Sequence, residues 1–356
     1  MHLAQLSLAH YMAPLPARGL PNMTSYPAPL RIPEEAKQRL KILFIAKNAL
    51  WDGSGSAEDG NHATYHVEMR EVLKGLGLNL RVEDKFEVLF DKPEVDFVFP
   101  LLNRAGFFNS EMLCPLLCER AGLPYLGASP ILRGLSDDKH LAKRAVRDAG
   151  VPTAPWAIYR RGAPIDPSKC PEGTRFVVKP NNSSASWGVM DATDWPSVEK
   201  AIHGVHELGH DALVEPFIDG SDVEVPVVTI GNEPVILPMM IFRQADPSHL
   251  RTYQEKRDLV DRSQKYSLDP FENPAMIAKI TEYTKAAMQE YRPFDYGRFE
   301  FRVNEETGDI TFLELNLNCN LWSQKVFGRA AKLAGWTQEQ LIETLVAESL
   351  ARHGLI

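Results

Sequence analysis

Residue types suited to metal and phosphate chemistry crowd one short stretch. It reads Gly297-Arg298-Phe299-Glu300-Phe301 and then, after a break, Phe312-Leu313-Glu314-Leu315-Asn316. Both halves have strand character, and Asn304 to Asp309, with Gly308, reads as the turn between them. Side chains two apart on a strand share a face, so Arg298 lines up with Glu300, and Glu314 with Asn316. Two carboxylates and an amide oxygen are hard ligands that suit Mg²⁺, an ion that keeps waters and substrate phosphates around it. An arginine beside them suits a phosphoryl group. The pattern points to ATP chemistry.

The chain that must position this hairpin has 356 residues, 44% hydrophobic and 24% charged, enough for a large core and two or three subdomains. A net charge of −8 argues against a broad nucleic-acid surface. No apolar run approaches the roughly 20 residues that span a bilayer, so no membrane partner is expected. Cys114, Cys118, Cys170 and Cys319 are too few for a disulfide scaffold. Cys114 and Cys118 fall four apart on a helix and read as small buried residues. The start, Met1 to Tyr11, lacks the basic end and long apolar core of a signal peptide, and a cytoplasmic protein is expected.

Residues 1–39 read as a proline-rich arm, irregular and lying over the body or a partner. Over 40–128 strands alternate with helices: Lys41 to Ala46, Asn79 to Val82, Val95 to Phe99 and Pro124 to Gly127, with helices through Tyr65–Leu76 and Glu111–Ala121. That alternation gives a doubly wound α/β domain. A second unit, 129–215, starts with a helix from Ser136 to Gly150. It continues through strands Arg175 to Pro180 and Ala212 to Glu215 around a helix from Trp195 to Leu208. The third, 216–356, carries a hairpin of Asp222 to Ile230 and Val235 to Ile241, a helix from Pro274 to Tyr291, the metal hairpin and two closing helices, Gln324 to Ala334 and Gln338 to Arg352.

Two further segments have chemical character. Lys179 ends a Val-Val-Lys-Pro strand before a small-residue loop, Asn181 to Gly188, and can hold phosphate by charge and backbone N–H groups. Standing alone, it would read as a solvated lysine at a turn. The strand end Glu215-Pro216-Phe217-Ile218 can read an adenine edge, with Asp222 reaching ribose hydroxyls, or can simply connect two sheets.

Together with Leu135-Ser136-Asp137-Asp138-Lys139 and the run Ala149 to Trp156, these elements occur in an order that resembles the ATP-grasp superfamily, most closely its D-alanine–D-alanine ligase branch, over roughly residues 40–350. The resemblance implies a fold of an N-terminal α/β domain followed by two ATP-grasp subdomains. It implies ATP as substrate, and Mg²⁺, with Mn²⁺ as a substitute, held by Glu300, Glu314 and Asn316. Lys139, Lys179 and Lys256 would contact phosphates, and Ser183, Ser184 and Ser186 would belong to a phosphate-covering loop. Glu215, Pro216, Phe217 and Ile218 would form the adenine hinge, and Asp222, where the family usually has glutamate, would bind ribose. Arg298 would steady the transferred phosphoryl group, and Glu58, in Ser56-Ala57-Glu58, would either meet the first substrate's amine or be a solvated loop carboxylate. The implied reaction joins an amino-acid-like carboxylate to an amine through an acyl phosphate, and the family's habit is a homodimer.

Two loops depart from the branch. Its His-Gly-x-x-Gly-Glu-Asp-Gly run is replaced by Leu102 to Asn109, with Phe107 and Phe108, and its Asn-x-Ser-Pro-Gly-Met run by Asn316 to Trp322. The nucleotide half is kept and the acceptor half rewritten, so a substrate other than D-alanine is expected, with Phe107, Phe108 and Trp322 either walling its pocket or packing in the core. Arg243, His249 and Arg251 are candidates for a second substrate carboxylate, with plain surface charge as the alternative for His249. The rival readings are a D-alanine–D-alanine ligase with divergent loops, and a nucleotide-binding regulatory protein without turnover.

Overall fold

The computed structural model describes residues 26–54, 60–101, 110–256 and 266–356. Glu58, Phe107 and Phe108 lie outside the described residues, as does the arm before Tyr26. From Tyr26 the arm runs across the last helix: the Leu30 N–H donates to Thr344 Oγ1, and Glu343, buried in that helix, takes Arg31 at 2.5 Å and the Ile32 N–H. Its end is not irregular, as expected, but a short helix, α1 (Glu34–Arg39), with glutamates in its first turn and basic residues in its last.

Strands β1 (Lys41–Ile45), β2 (Asn79–Glu83) and β3 (Phe97–Pro100) form a parallel sheet in the order β2-β1-β3, with α2 (Asn61–Gly75) between β1 and β2. Alternation sends Ile42, Phe44, Phe97 and Phe99 to one core with Tyr65, Met69 and Leu73 of α2. Leu43, Ile45 and Val98 go to another with Cys114, Leu117 and Cys118 of α3 (Leu113–Ala121). Both faces are covered, as a doubly wound sheet requires. The expected strand Pro124 to Gly127 shrinks to one parallel bridge, Tyr125 to Val98.

The expected helix from Ser136 is two helices. Asp138 leaves the helical region (φ −81, ψ 99), ending α4 (Pro130–Asp137) and capping α5 (Lys139–Asp148) by accepting the Leu141 N–H at 2.9 Å. A four-stranded antiparallel sheet follows in the order β4-β7-β5-β6, built of β4 (Ala157–Tyr159), β5 (Phe176–Pro180), β6 (Met190–Ala192) and β7 (Ala212–Pro216). Its outer face packs Phe176, Val178 and Val214 against Val198, Ile202 and Val205 of α6 (Trp195–Glu207).

The largest sheet has the order β11-β10-β8-β12-β13, with β9 also on β8. Its strands are β8 (Ser221–Ile230), β9 (Glu233–Ile236), β10 (Met240–Gln244), β11 (Tyr266–Pro270), β12 (Tyr296–Asn304) and β13 (Asp309–Asn316). The segment expected as one strand, Val235 to Ile241, is divided between β9 and β10 around Pro238, which lacks the N–H a ladder needs. One turn, α7 (Tyr253–Lys256), precedes β11, and α8 (Pro274–Met288) packs Met276 and Ile280 under Val223, Val225, Phe299 and Phe301. Helices α9 (Val326–Leu333) and α10 (Gln338–Arg352) close the chain against the first core. Among the described residues no helix is long and apolar enough to cross a membrane.

Candidate active site

The hairpin pairs as the alternation requires. Arg298 stands opposite Asn316 and Glu300 opposite Glu314, on the face of β12 turned away from core residues Phe299 and Phe301. A bulge follows, because Phe301 pairs with Phe312 and leaves Leu313 as the extra residue. Consecutive residues Leu313 and Glu314 thereby both reach the cleft, while Phe312 and Leu315 both stay in the core.

That cleft, about 930 Å³ with its open mouth, lies between the large sheet and the inner face of the four-stranded sheet. Lys179 and Glu215 face it from β5 and β7 and form an ion pair. The other oxygen of Glu215 takes Lys143 at 2.8 Å. Burial alone raises the Glu215 carboxyl, but the two ammoniums outweigh it and hold the group at about 2. Glu215 therefore neutralises two buried lysines.

Lys143 went unnoticed in the sequence, although its spacing of four from Lys139 puts both on one face of α5. Its ammonium also lies 5.4 Å from the Trp156 ring. Lys139 donates to the Ser183 carbonyl and lies 3.6 Å from Glu314 Oε2, so it ties α5, the small-residue loop and the hairpin together. The loop itself, with Ser183, Ser184 and Ser186 on the cleft, holds Ala185 and Ser186 at φ 54 and 59. Such left-handed backbone is costly for residues other than glycine and gathers at functional sites.

Pro216, Phe217, Ile218 and Asp222 line the opposite end. Arg175 lies 4.0 Å from the Phe217 ring, and Arg302 donates to the Ile218 carbonyl. Asp222 is held by Arg302 at 2.8 Å and by Arg251 at 3.3 Å. Burial pushes its carboxyl up, but the two guanidiniums more than offset that and hold it below the ordinary range. Gly220 turns the chain from the hinge into β8 at φ +125, where an added Cβ would sit 2.2 Å from the Val303 carbonyl oxygen. Arg302 is a second residue the sequence left unread; its membership of the Arg298, Glu300 face was the available signal.

Lys256 and His249 also line the cleft. Burial, with Arg251 nearby, lowers the Lys256 ammonium. Of the three candidates for a substrate carboxylate, Arg251 is taken up by Asp222 and stacks on Phe242 at 4.1 Å, Arg243 pairs on the surface with Glu305 at 2.8 Å, and His249 lies 3.2 Å from Glu255.

Arg298 donates through Nε and Nη2 to one oxygen of Glu300. Burial, with the carboxylates of Glu224 and Glu314 facing it, overcomes the guanidinium and pushes Glu300 up to about 7. Glu314 is driven the other way: burial raises it, and Lys139, Lys179, Lys256 and Arg298 together bring it down. Among the described residues no three His, Cys, Asp or Glu side chains converge as a metal centre. The donor set is two carboxylates and an amide, which fits a hard divalent cation that takes its other ligands from phosphate and water.

Beyond Asn316 the loop is clamped to α2. Glu68 accepts from Trp322 Nε1 at 2.9 Å, from the Ser323 N–H at 3.0 Å and from the Ser323 hydroxyl at 2.7 Å. Trp322 is packed in the first core and Cys319 is buried there with its thiol pushed up to about 12 by desolvation, so it is no thiolate nucleophile.

Residues 145–347 match the family described as the D-ala D-ala ligase C-terminus. The uncharacterized protein y4sG of Sinorhizobium fredii is 30% identical over 244 residues, 67% of this chain and 70% of that protein. The D-alanine–D-alanine ligase of Polaromonas sp. is 28% identical over 253 residues, 69% of this chain and 73% of its own. The fold is shared with the D-alanine–D-alanine ligase from Bacillus anthracis solved with ATP, at a TM-score of 0.70 and 19% identity, covering 88% of this chain and 98% of that one. With the matched model spanning most of the chain from α5 through α10, this protein belongs to the D-ala D-ala ligase C-terminus family and is an ATP-dependent ligase of the ATP-grasp fold that joins a carboxylate to an amine.

Proposed function

We propose that the protein activates an amino-acid-like carboxylate as an acyl phosphate and passes the acyl group to an amine, releasing ADP and phosphate. The observation that carries this reading is the direct pairing of Glu300 with Glu314 and of Arg298 with Asn316, beside a cleft that also holds Lys139 and Lys179. In this reading the adenine lies against Phe217 and Ile218, the ribose at Asp222, and the phosphates along Lys139, Lys179, Lys256 and the loop of Ser183, Ser184 and Ser186. Glu300, Glu314 and Asn316 would hold Mg²⁺, which supplies charge neutralisation at the phosphates.

A carboxylate is a poor electrophile. Attack of its oxygen on the γ-phosphorus breaks the bond to the bridging oxygen, and ADP departs. The amine nitrogen then attacks the acyl carbon, the bond to phosphate breaks, and the nitrogen loses a proton. Arg298 and the lysines offset charge on the phosphoryl oxygens. The loop from Asn181 to Gly188 keeps water from the acyl phosphate, which would otherwise hydrolyse.

The acceptor side differs from that of the D-alanine enzymes. Trp322, the last residue of the loop that replaces the family's run from Asn316, and Ser323 just after it are seated on Glu68. We therefore assign substrates other than two D-alanines. Phosphate release from ATP, screened over amino acids and small carboxylates singly and in pairs, tests this. Release that requires a pair other than D-alanine with itself supports the assignment. Release with D-alanine alone overturns the substrate choice, and ATP binding without release on any pair overturns the reaction.

A further inference from the structure

The carboxylate row on the large sheet has a third member. Glu224 of β8 is the direct partner of Glu300, which in turn faces Glu314, so the three lie abreast on neighbouring strands. Glu224 is 5% exposed. Its Oε2 lies 3.0 Å from Nε of Arg298 but makes no hydrogen bond with any described residue, and the Nε–H of Arg298 goes to Glu300 instead. Glu300 lines the nucleotide cleft and Glu224 does not. Arg298 thus sits between two buried carboxylates, bonded to one and facing the other.

A buried carboxylate without a hydrogen bond is costly and calls for an explanation. The function assigned to Glu300 provides one. A carboxylate that turns to a divalent cation no longer serves its arginine in the same way, and a guanidinium that loses its anchor swings among rotamers. A second carboxylate already at ion-pair distance takes over without any movement of the backbone.

We propose that Glu224 is a positioning residue for Arg298, the carboxylate that keeps the guanidinium aimed when Glu300 is engaged elsewhere. This rests on the reading of Arg298 as the group that meets the transferred phosphoryl. Charge and reach are both required, so Glu224→Gln removes the anchor with little change of shape, and Glu224→Asp keeps the charge while shortening the arm.

The test compares Glu224→Gln, Glu224→Asp, Arg298→Met and the double variant Glu224→Gln/Arg298→Met. It uses the substrate pair that gives the wild-type enzyme its fastest phosphate release. Glu224→Gln is expected to lower kcat at least tenfold while affinity for adenylyl imidodiphosphate with Mg²⁺, read by calorimetry, stays within twofold. Glu224→Asp is expected to recover part of the loss, and the double variant to be no slower than Arg298→Met alone. A Glu224→Gln enzyme within twofold of wild-type kcat beside an inactive Arg298→Met overturns the proposal and leaves the reading of Arg298 standing. An equal further loss in the double variant overturns it too, since Glu224 would then act apart from Arg298. Full activity in Arg298→Met overturns both. If Glu224→Gln does not fold, Glu224→Asp decides: reduced kcat with intact nucleotide affinity supports the role, and wild-type kcat overturns it.

Discussion

Glu300 and Glu314 face each other across two strands as a direct pair, an arrangement in which like charges repel. The sheet answers the repulsion unevenly. Burial and two facing carboxylates push Glu300 up to about 7, whereas Glu314, after the penalty of burial, is pulled down by the lysines of the cleft. In the proposed reading a divalent cation held by Glu300 and Glu314 would relieve the conflict.

Removing one of the pair should therefore disable the reaction without unfolding the chain. Glu314→Gln is expected to lower turnover by at least about a hundredfold, the scale of losing a group that stabilises developing charge. Its circular dichroism and the cooperativity of its melting should match wild type. Near-normal ADP formation in this variant would remove Glu314 from the metal assignment.

The Lys143–Glu215–Lys179 cluster should tie α5 to the four-stranded sheet electrostatically. Glu215→Gln leaves two buried ammoniums uncompensated and is expected to cost about 3–5 kcal/mol at neutral pH. The Glu215 carboxyl titrates at about 2, below its ordinary value of 4.5. Its contribution is therefore complete above 4.5 and is lost as pH falls from there towards 2. Denaturant unfolding of wild type and variant between pH 7 and pH 3 should show the gap narrowing at the acid end. A constant gap would mean that the charge of Glu215 is not what stabilises the cluster.

At the ribose end, Asp222→Asn should raise KM for ATP roughly tenfold, the worth of one charge-assisted hydrogen bond. Because Asp222 is remote from the reacting phosphate in the proposed pose, kcat should change little. Initial rates at varied ATP separate the two, and an unchanged KM would release Asp222 from nucleotide contact.

Gly220 sets the turn that delivers Asp222. Gly220→Ala places a methyl group against the Val303 carbonyl at a positive φ. We expect destabilisation of about 1–3 kcal/mol, measured as a lower unfolding midpoint. A midpoint equal to wild type would mean the turn relaxes freely.

Much of this architecture could be read from the chain because local signals agreed with the final packing. The hairpin of β12 and β13 has a two-residue period and a turn, and Gly122 stops α3 in the left-handed region at φ 66. What could not be read depends on partners distant in sequence. Glu224 becomes a neighbour of Arg298 only through the β8–β12 register, which no local pattern specifies. The division of α4 from α5 turns on Asp138 choosing to cap rather than continue, and the division of β9 from β10 on a single proline. The strand end at Glu215 is visible in the sequence, whereas its two lysine partners lie 36 and 72 residues away.

Activation of a carboxylate by phosphorylation is tested most directly by the path of its oxygen. The carboxylate substrate found in the screen is labelled with ¹⁸O at both oxygens, and the released phosphate is examined by mass spectrometry. One ¹⁸O per phosphate, with ADP as the nucleotide product, is the expected result. Unlabelled phosphate, or AMP and pyrophosphate in place of ADP, would contradict the acyl phosphate route.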